Sequence, residues 1–272
     1  MPEGDTIHGA AERLRTAFGS DALASFEGPR VRGPQPAPGS PMRVTARGKH
    51  LLVGFDGGVT LHTHLGMDGW WRVERSPGRA VPRGGPPGRG LLARLSTQRA
   101  SAVVGGTPTV ELLTDAELRR HPVLRTLGPD LCDETIDLDE IELRLGGLDP
   151  DTPIGVVLLD QRSASGIGNV YRSEVLWAER VAPRVRLADV GPDVRRTLYT
   201  TAHRLLRANI GRPRRTIPSG LAAYDRAGRA CPRCRTPIRA ERLGEQARTV
   251  WWCPTCQATD DGPARRPVSF GR

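Results

Sequence analysis

The sequence predicts an α+β multidomain chain: an N-terminal β-sandwich carrying a leading helix, a helical middle, and a C-terminal four-cysteine module. Three observations predict it. Short apolar runs separated by turn residues recur between 42 and 113, the pattern of antiparallel strands packed in two layers. From about residue 135 the apolar spacing becomes helical. Four of the five cysteines form two Cys-x-x-Cys pairs with 18 residues between them, the spacing of a tetrahedral thiolate site.

Ile7, Ala10, Ala11, Leu14 and Phe18 share one face of a helix expected over 5–18, with Asp5 or Thr6 as its cap. Strands are expected at 42–46, 51–55, 59–65, 70–74, 91–96, 100–104 and 109–113. The stretch 76–90, rich in Pro, Gly and Arg, reads as a mobile loop. Thr114 and Glu117 have capping-box spacing, so a short helix should start there and stop before His121-Pro122. Pro153 suits the start of a helix, followed by the apolar run 154–161. A small-residue turn, 163–168, leads to Asn169, expected to cap a helix to about 179. A further helix spans roughly 192–210, with Val194, Leu198, Leu205 and Leu206 inward. The expected domains are 1–130, 131–222 and 223–258, with a disordered tail at 259–272 and no internal repeat.

The chain has 272 residues, 38% of them hydrophobic, enough for compact cores. Its 32 glycines and 24 prolines are scattered among periodic segments. No apolar run approaches the ~20 residues that cross a bilayer. No basic segment followed by an apolar stretch opens the chain, so a cytoplasmic protein is expected. The net charge of +10 points to a polyanion, nucleic acid first. An anionic membrane surface and a plain arginine bias are the other readings. In a cytoplasmic setting Cys231, Cys234, Cys253 and Cys256 read as ligands of one structural Zn2+. Cys132 reads as a small buried hydrophobe.

Among 40 basic residues Lys49 is the only lysine. A lysine can lose its proton where an arginine cannot, so a turn that keeps one against this bias can use a proton donor or a point charge. At the N-terminus, removal of the initiator methionine would expose Pro2 as a secondary amine. Such amines titrate at about 7.7–8.0, which leaves a nucleophilic fraction at neutral pH. Glu3 stands beside it as an acid/base.

Four stretches together resemble the formamidopyrimidine-DNA glycosylase and endonuclease VIII family: Pro2-Glu3-Gly4; Arg47-Gly48-Lys49; Leu158-Leu159-Asp160-Gln161 followed by Gly166-Ile167-Gly168-Asn169-Val170-Tyr171; and the cysteine module with Arg248 five residues before Cys253. They lie in the family's order and cover nearly the whole chain. The resemblance implies a β-sandwich, a helix–two-turn–helix domain and a β-hairpin zinc finger. Double-stranded DNA with a damaged base or abasic site would lie in the basic cleft between the halves, bound by a monomer. It also implies base removal coupled to strand cutting by β,δ-elimination.

The residues suit that chemistry. Pro2 can form a Schiff base at the sugar, and Glu3 can shuttle protons. Lys49 and Arg248 can hold the flanking phosphates. The Gly166–Asn169 turn offers N–H groups to a phosphate. Met67 is similar to the family's wedge that fills the gap left by a flipped base, although core packing would equally explain a methionine there. Arg125, Gly168, Asn169 and Tyr171 are expected at the DNA. His62 and His64 share a strand face and either touch phosphate or are structural. Position 6 is Thr where the family more often has Glu, so that carboxylate's role is not carried over. The purine branch's Arg-x-Phe wedge is absent from 98–106, and 211–230 is short for its lesion-capping loop. The chain therefore looks more like endonuclease VIII, with oxidised pyrimidines preferred. The alternatives are an oxidised-purine glycosylase and a non-catalytic zinc-finger DNA-binding protein.

Overall fold

The computed structural model describes residues 2–74, 91–106, 109–212, 215 and 220–258. The expected loop at 76–90 and the expected tail at 259–272 lie outside these. The chain opens with α1 (Gly4–Phe18), followed by eight strands: β1 (Ser25–Glu27), β2 (Met42–Arg47), β3 (His50–Phe55), β4 (Val59–His64), β5 (Trp70–Glu74), β6 (Leu91–Ser96), β7 (Ser101–Gly105) and β8 (Thr109–Thr114). They form two four-stranded antiparallel sheets, ordered β1-β6-β7-β5 and β2-β3-β4-β8. Alternation does the sorting, because successive side chains face opposite sides of a strand. Leu51, Val53, Leu61 and Leu112 point into the sandwich with Ile7, Leu14 and Phe18 of α1. His50, His62 and Glu111 fall on the other face of the same sheet. The three-residue β1 is too short to leave a periodic signal and is absent from the sequence reading.

The capping box forms as expected. Thr114 accepts from the Glu117 N–H, and Glu117 closes back on Thr114, starting α2 (Asp115–Arg120). The helical half contains α3 (Leu138–Leu145), α4 (Ile154–Val157), α5 (Asn169–Ala178) and α6 (Pro192–Asn209). The apolar run at 154–161 is helical only over its first four residues. Its remainder turns so that the Gln161 side chain can bond Leu159 O, Ile167 O and the Gly166 N–H. Leu131, Ile141, Ile154, Tyr171, Leu198 and Leu206 are buried together in this half's core.

The chain ends in a hairpin of β9 (Arg239–Leu243) and β10 (Arg248–Trp252). Leu243 and Val250 join the helical core, so the hairpin is docked on α5. The hairpin module's own core is Cys231, Ile238 and Cys253.

Candidate active site

The site forms where the chain enters α1. The Gly4 N–H donates to Gly166 O at 2.9 Å, bringing Pro2 and Glu3 against the turn before α5. Glu3 is fully buried. Its carboxylate accepts from the N–H groups of Gly168 (2.8 Å), Val170 (2.8 Å) and Tyr171 (3.3 Å). These are unpaired donors at a helix start, at the positive end of its dipole. Position 168 must be glycine: an added Cβ would lie 2.4 Å from the Glu3 Cδ. Burial raises the Glu3 carboxyl above its usual range, while Arg215, the α5 N–H groups and Lys49 pull the other way.

This geometry corrects several expectations. The α1 cap position is Glu3, without a side-chain capping bond, and Asp5 lies inside the helix. Of the N–H groups read as a phosphate seat, that of Gly168 is taken by Glu3 and that of Gly166 by the Gln161 side chain at 3.1 Å. Gly168 is buried, and Tyr171 is fully buried with its hydroxyl donating to Asp5 Oδ2 at 2.9 Å. Both support the acidic pair from within the protein, Gly168 through its N–H to Glu3 and Tyr171 through its hydroxyl to Asp5. Asn169 is the first residue of α5 and does not cap it. Its amide N–H donates to Thr249 O at 2.8 Å, and its carbonyl oxygen accepts from Arg172.

Lys49 lies in the turn between β2 and β3, held from several sides. Arg47 donates to Leu127 O at 3.3 Å, and the Gly48 N–H donates to Asp130 Oδ2 at 2.6 Å. Gly48 has φ +57°, and an added Cβ would sit 2.8 Å from the Ser165 Cβ. Both facts require glycine. Burial lowers the Lys49 pKa to about 8; Glu3 opposes that shift and Arg248 adds to it. Glu3 and Arg248 are thus both within electrostatic reach of Lys49. Arg248 begins β10 just past the hairpin turn, exposed, with its Nε donating to Gln246 at 3.1 Å.

The four module cysteines bring their Sγ atoms within 4.8 Å of one another. Cys231 and Cys256 are 3.9 Å apart, Cys234 and Cys253 3.4 Å. A tetrahedron of Zn–S bonds near ~2.3 Å has edges of about 3.8 Å, so the cluster fits a metal ion. The Trp177 indole and the Cys256 N–H donate to Cys231 and Cys253 sulfur, both at 3.4 Å, as expected around thiolates.

Met67 is 72% exposed, which removes the core-packing reading. Arg125 is exposed and His64 half-buried. His62 is buried between His50 and Glu111, 2.8 Å from each, the structural alternative of its two readings. Cys132 is buried as expected, and burial pushes its thiol pKa up.

Sequence reasoning missed four residues. Asp130 also pairs with His8 at 2.9 Å, tying α1 to the Lys49 turn. Arg215 pairs with both Asp5 oxygens, at 2.7 and 2.8 Å. Arg172, fully buried, donates to Thr249 O at 2.5 Å and bridges α5 to the hairpin. Glu174 accepts three N–H groups from 222–224. The signal for the last two was their position on α5 between Tyr171 and Val175, where charge breaks an apolar face.

A sandwich carrying an N-terminal amino-acid pair, joined to a helical half and a four-cysteine hairpin, defines the architectural class of the helix–two-turn–helix repair proteins. The family models agree: the formamidopyrimidine-DNA glycosylase N-terminal domain matches residues 1–99 and the formamidopyrimidine-DNA glycosylase H2TH domain matches 127–219. The chain belongs to the formamidopyrimidine-DNA glycosylase and endonuclease VIII family. It is 40% identical to a probable endonuclease 8 2 of Streptomyces coelicolor, over 98% of this chain and 96% of that one. It is 31% identical to a DNA-(apurinic or apyrimidinic site) lyase Nei2 of Mycolicibacterium smegmatis, over 94% and 99%. The fold matches the Lactococcus lactis Fpg (MutM) in complex with N7-benzyl-Fapy-dG DNA: TM-score 0.79 and 20% identity, over 95% and 100% of the chains.

Proposed function

We propose that the protein is a bifunctional DNA glycosylase and abasic-site lyase of base-excision repair, acting on oxidised pyrimidines in double-stranded DNA. The meeting of Pro2-Glu3 with Lys49 at the start of α5 carries this reading, because simple DNA binding needs none of the three. The endonuclease 8 type names of the relatives above support the same branch.

The Pro2 nitrogen, once exposed, bonds to the sugar's anomeric carbon as the bond to the base breaks. The base leaves with the electron pair and takes up a proton. Glu3, whose pKa is raised, can hold the proton that opens the sugar ring. The resulting iminium acidifies the neighbouring C2′–H. Loss of that proton expels the 3′ phosphate, and a second elimination expels the 5′ phosphate. Lys49 and Arg248 hold these phosphates as they leave. A Lys49 pKa of about 8 leaves part of it neutral near pH 7 and able to exchange protons. The four cysteines hold one structural zinc, which folds the hairpin that carries Arg248. Met67 fills the gap left by the flipped nucleotide. Arg125 and the second N–H of the Asn169 amide face the backbone. The division at 130 and 222, the monomer and a cytoplasmic location belong to the same reading; among the described residues no helix is long and apolar enough to cross a membrane.

The test is base release and strand cutting on duplexes carrying an oxidised pyrimidine, an oxidised purine or an abasic site. The expected result is pyrimidine release with both phosphates retained on the gap ends. Purine release alone would move the chain to the other branch. Salt-sensitive binding without cutting would make it a non-catalytic binder.

A further inference from the structure

A polar cluster on the outer face of the β2-β3-β4-β8 sheet is not used by this chemistry. β3 places His50 opposite His64, β4 places His62 opposite Glu111 on β8, and all four lie on one face. His121, just after α2, closes over them. His62 Nδ1, Glu111 Oε1 and His121 Nε2 are close enough to hold a metal ion, but the protons exclude it. The N–H groups of Val123 and Leu124 both donate to His121 Nδ1, at 3.3 and 3.1 Å. That nitrogen is therefore the bare one, and neutral His121 carries its proton on Nε2. It donates to Glu111 at 3.2 Å and has no lone pair left for a metal.

The remaining protons follow from that one. Glu111 as carboxylate only accepts, so His62 Nδ1 donates to it at 2.8 Å. The other His62 nitrogen, Nε2, must then accept, so His50 Nδ1 donates at 2.8 Å. This leaves His50 Nε2 as the free basic end of a chain whose every proton points toward Glu111. The Glu111 side chain is 34% exposed, while His62 and His50 are buried. His50 directly follows Lys49, and its ring packs 4.9 Å from that of His64.

We propose that His50, His62 and Glu111 form a proton relay that drains the Lys49 side of the site to solvent. The proton given up by the C2′–H bond, whose electron pair stays on the sugar as the new double bond, is carried by water to His50 Nε2. The His50 Nδ1–H proton moves to His62 Nε2, and the His62 Nδ1–H proton moves to the Glu111 carboxylate. Glu111 releases it to water. One proton crosses and the network keeps its starting charge, with both rings now protonated on Nε2; the rings must turn over to restore Nδ1–H before the next cut. The relay rests on the proposed elimination, which frees one C2′ proton per cut. Its histidines are kept neutral by burial: His50 faces His62 and His64 from β4, His121 from beyond α2 and Lys49 from the turn, and all push its pKa down. His62 is lowered by burial against the pull of Glu111, and His64 by burial, Lys49 and His62. The three are positioning residues for the site; none is assigned a contact with DNA.

The test is Glu111→Gln in the full metal-loaded chain. Glutamine still accepts both N–H groups but cannot take the proton. Single-turnover cutting of abasic-site DNA at neutral pH should fall about tenfold, the low end of what a positioned proton-transfer group contributes. Raising the imidazole buffer concentration should restore it while leaving the wild type unchanged. Nitrogen NMR of the wild type should show His62 and His50 protonated on Nδ1, and His50→Gln should lose rate and regain it with imidazole in the same way. An unchanged Glu111→Gln rate, a loss that imidazole does not restore, or His62 protonated on Nε2 would each overturn the relay. Borohydride trapping separates the two failures. Adduct formation precedes proton loss, so Glu111→Gln should trap as the wild type does. A wild type that forms no adduct overturns the lyase reading, and the relay with it.

Discussion

The two cations proposed to grip the DNA are mounted in opposite ways. Lys49 stands on a turn of a domain whose core includes Ile7, Leu14, Leu51, Leu61, Leu95 and Leu112. Its neighbours are tied to Leu127, Asp130 and His62. Arg248 stands on a hairpin whose own buried residues are Cys231, Ile238 and Cys253, and its side chain is bonded to Gln246 at the exposed tip. Where apolar burial is ample, backbone and polar anchors can place a residue tightly and take its solvent away. Where it is scarce, the four clustered cysteines and a few buried tethers such as Arg172 must supply the order. The lysine loses proton affinity as a result, and the arginine lies exposed at the hairpin tip.

Metal removal should separate the two regions most strongly. Structural zinc contributes on the order of 10 kcal/mol to small finger modules, so chelation should unfold the hairpin and abolish strand cutting. The sandwich should keep its fold, read from the protection of the amide protons of β3 and β4. Loss of that protection together with the hairpin's would show that the two regions are one cooperative unit.

Lys49→Arg probes the tightly mounted side. The charge is kept, so DNA affinity should change by no more than ~1 kcal/mol. The planar fork does not fit the same point and does not exchange a proton. Cutting at an intact damaged base should fall ~100-fold, and elimination at a preformed abasic site less. Equal rates for both proteins on both substrates would make Lys49 an ordinary surface charge.

Asp130→Ala leaves the Gly48 N–H buried without its partner, a loss of about 1–3 kcal/mol. Gln246→Ala, at the other cation, should cost less than about 0.5 kcal/mol. Denaturant unfolding of both variants measures the contrast, and equal losses would erase it.

Acid probes the tightly mounted side a second way. Burial and its neighbours lower the His50 pKa from 6.5 to about 3. Below pH 6.5 the unfolded chain therefore binds a proton that the folded chain does not. Stability should fall as pH drops from 6.5 toward about 3, by at most ~1.4 kcal/mol per pH unit for this group. Above 6.5 the group contributes no slope. His50→Gln should flatten the acid limb, and an unaltered limb would mean His50 titrates normally.

Much of this was legible in the sequence because it is local. The α1 stripe, the strand runs, the Thr114 capping box and the paired cysteines are each written in fewer than about 30 consecutive residues, within reach of periodicity and spacing rules. The Glu3 carboxylate was not, since it caps α5 across 165 residues of chain. The clue was indirect: α5 begins at Gly168-Asn169 with no side-chain capping bond of its own. Its N–H groups needed a partner, and a phosphate was assigned where the protein supplies a carboxylate. Asp130, Arg172 and Arg215 were hidden for the same reason: their partners lie in other elements.

The central claim is that Pro2 is the covalent nucleophile. Lys49 is the chain's only lysine, so a Schiff base has two main candidates. The direct measurement is borohydride reduction of the protein on abasic-site DNA, with the modified residue located by mass spectrometry. The account predicts DNA on the N-terminal Pro2, and no adduct when extra residues precede it although binding persists. An adduct on Lys49, or one that survives the extension, would contradict it.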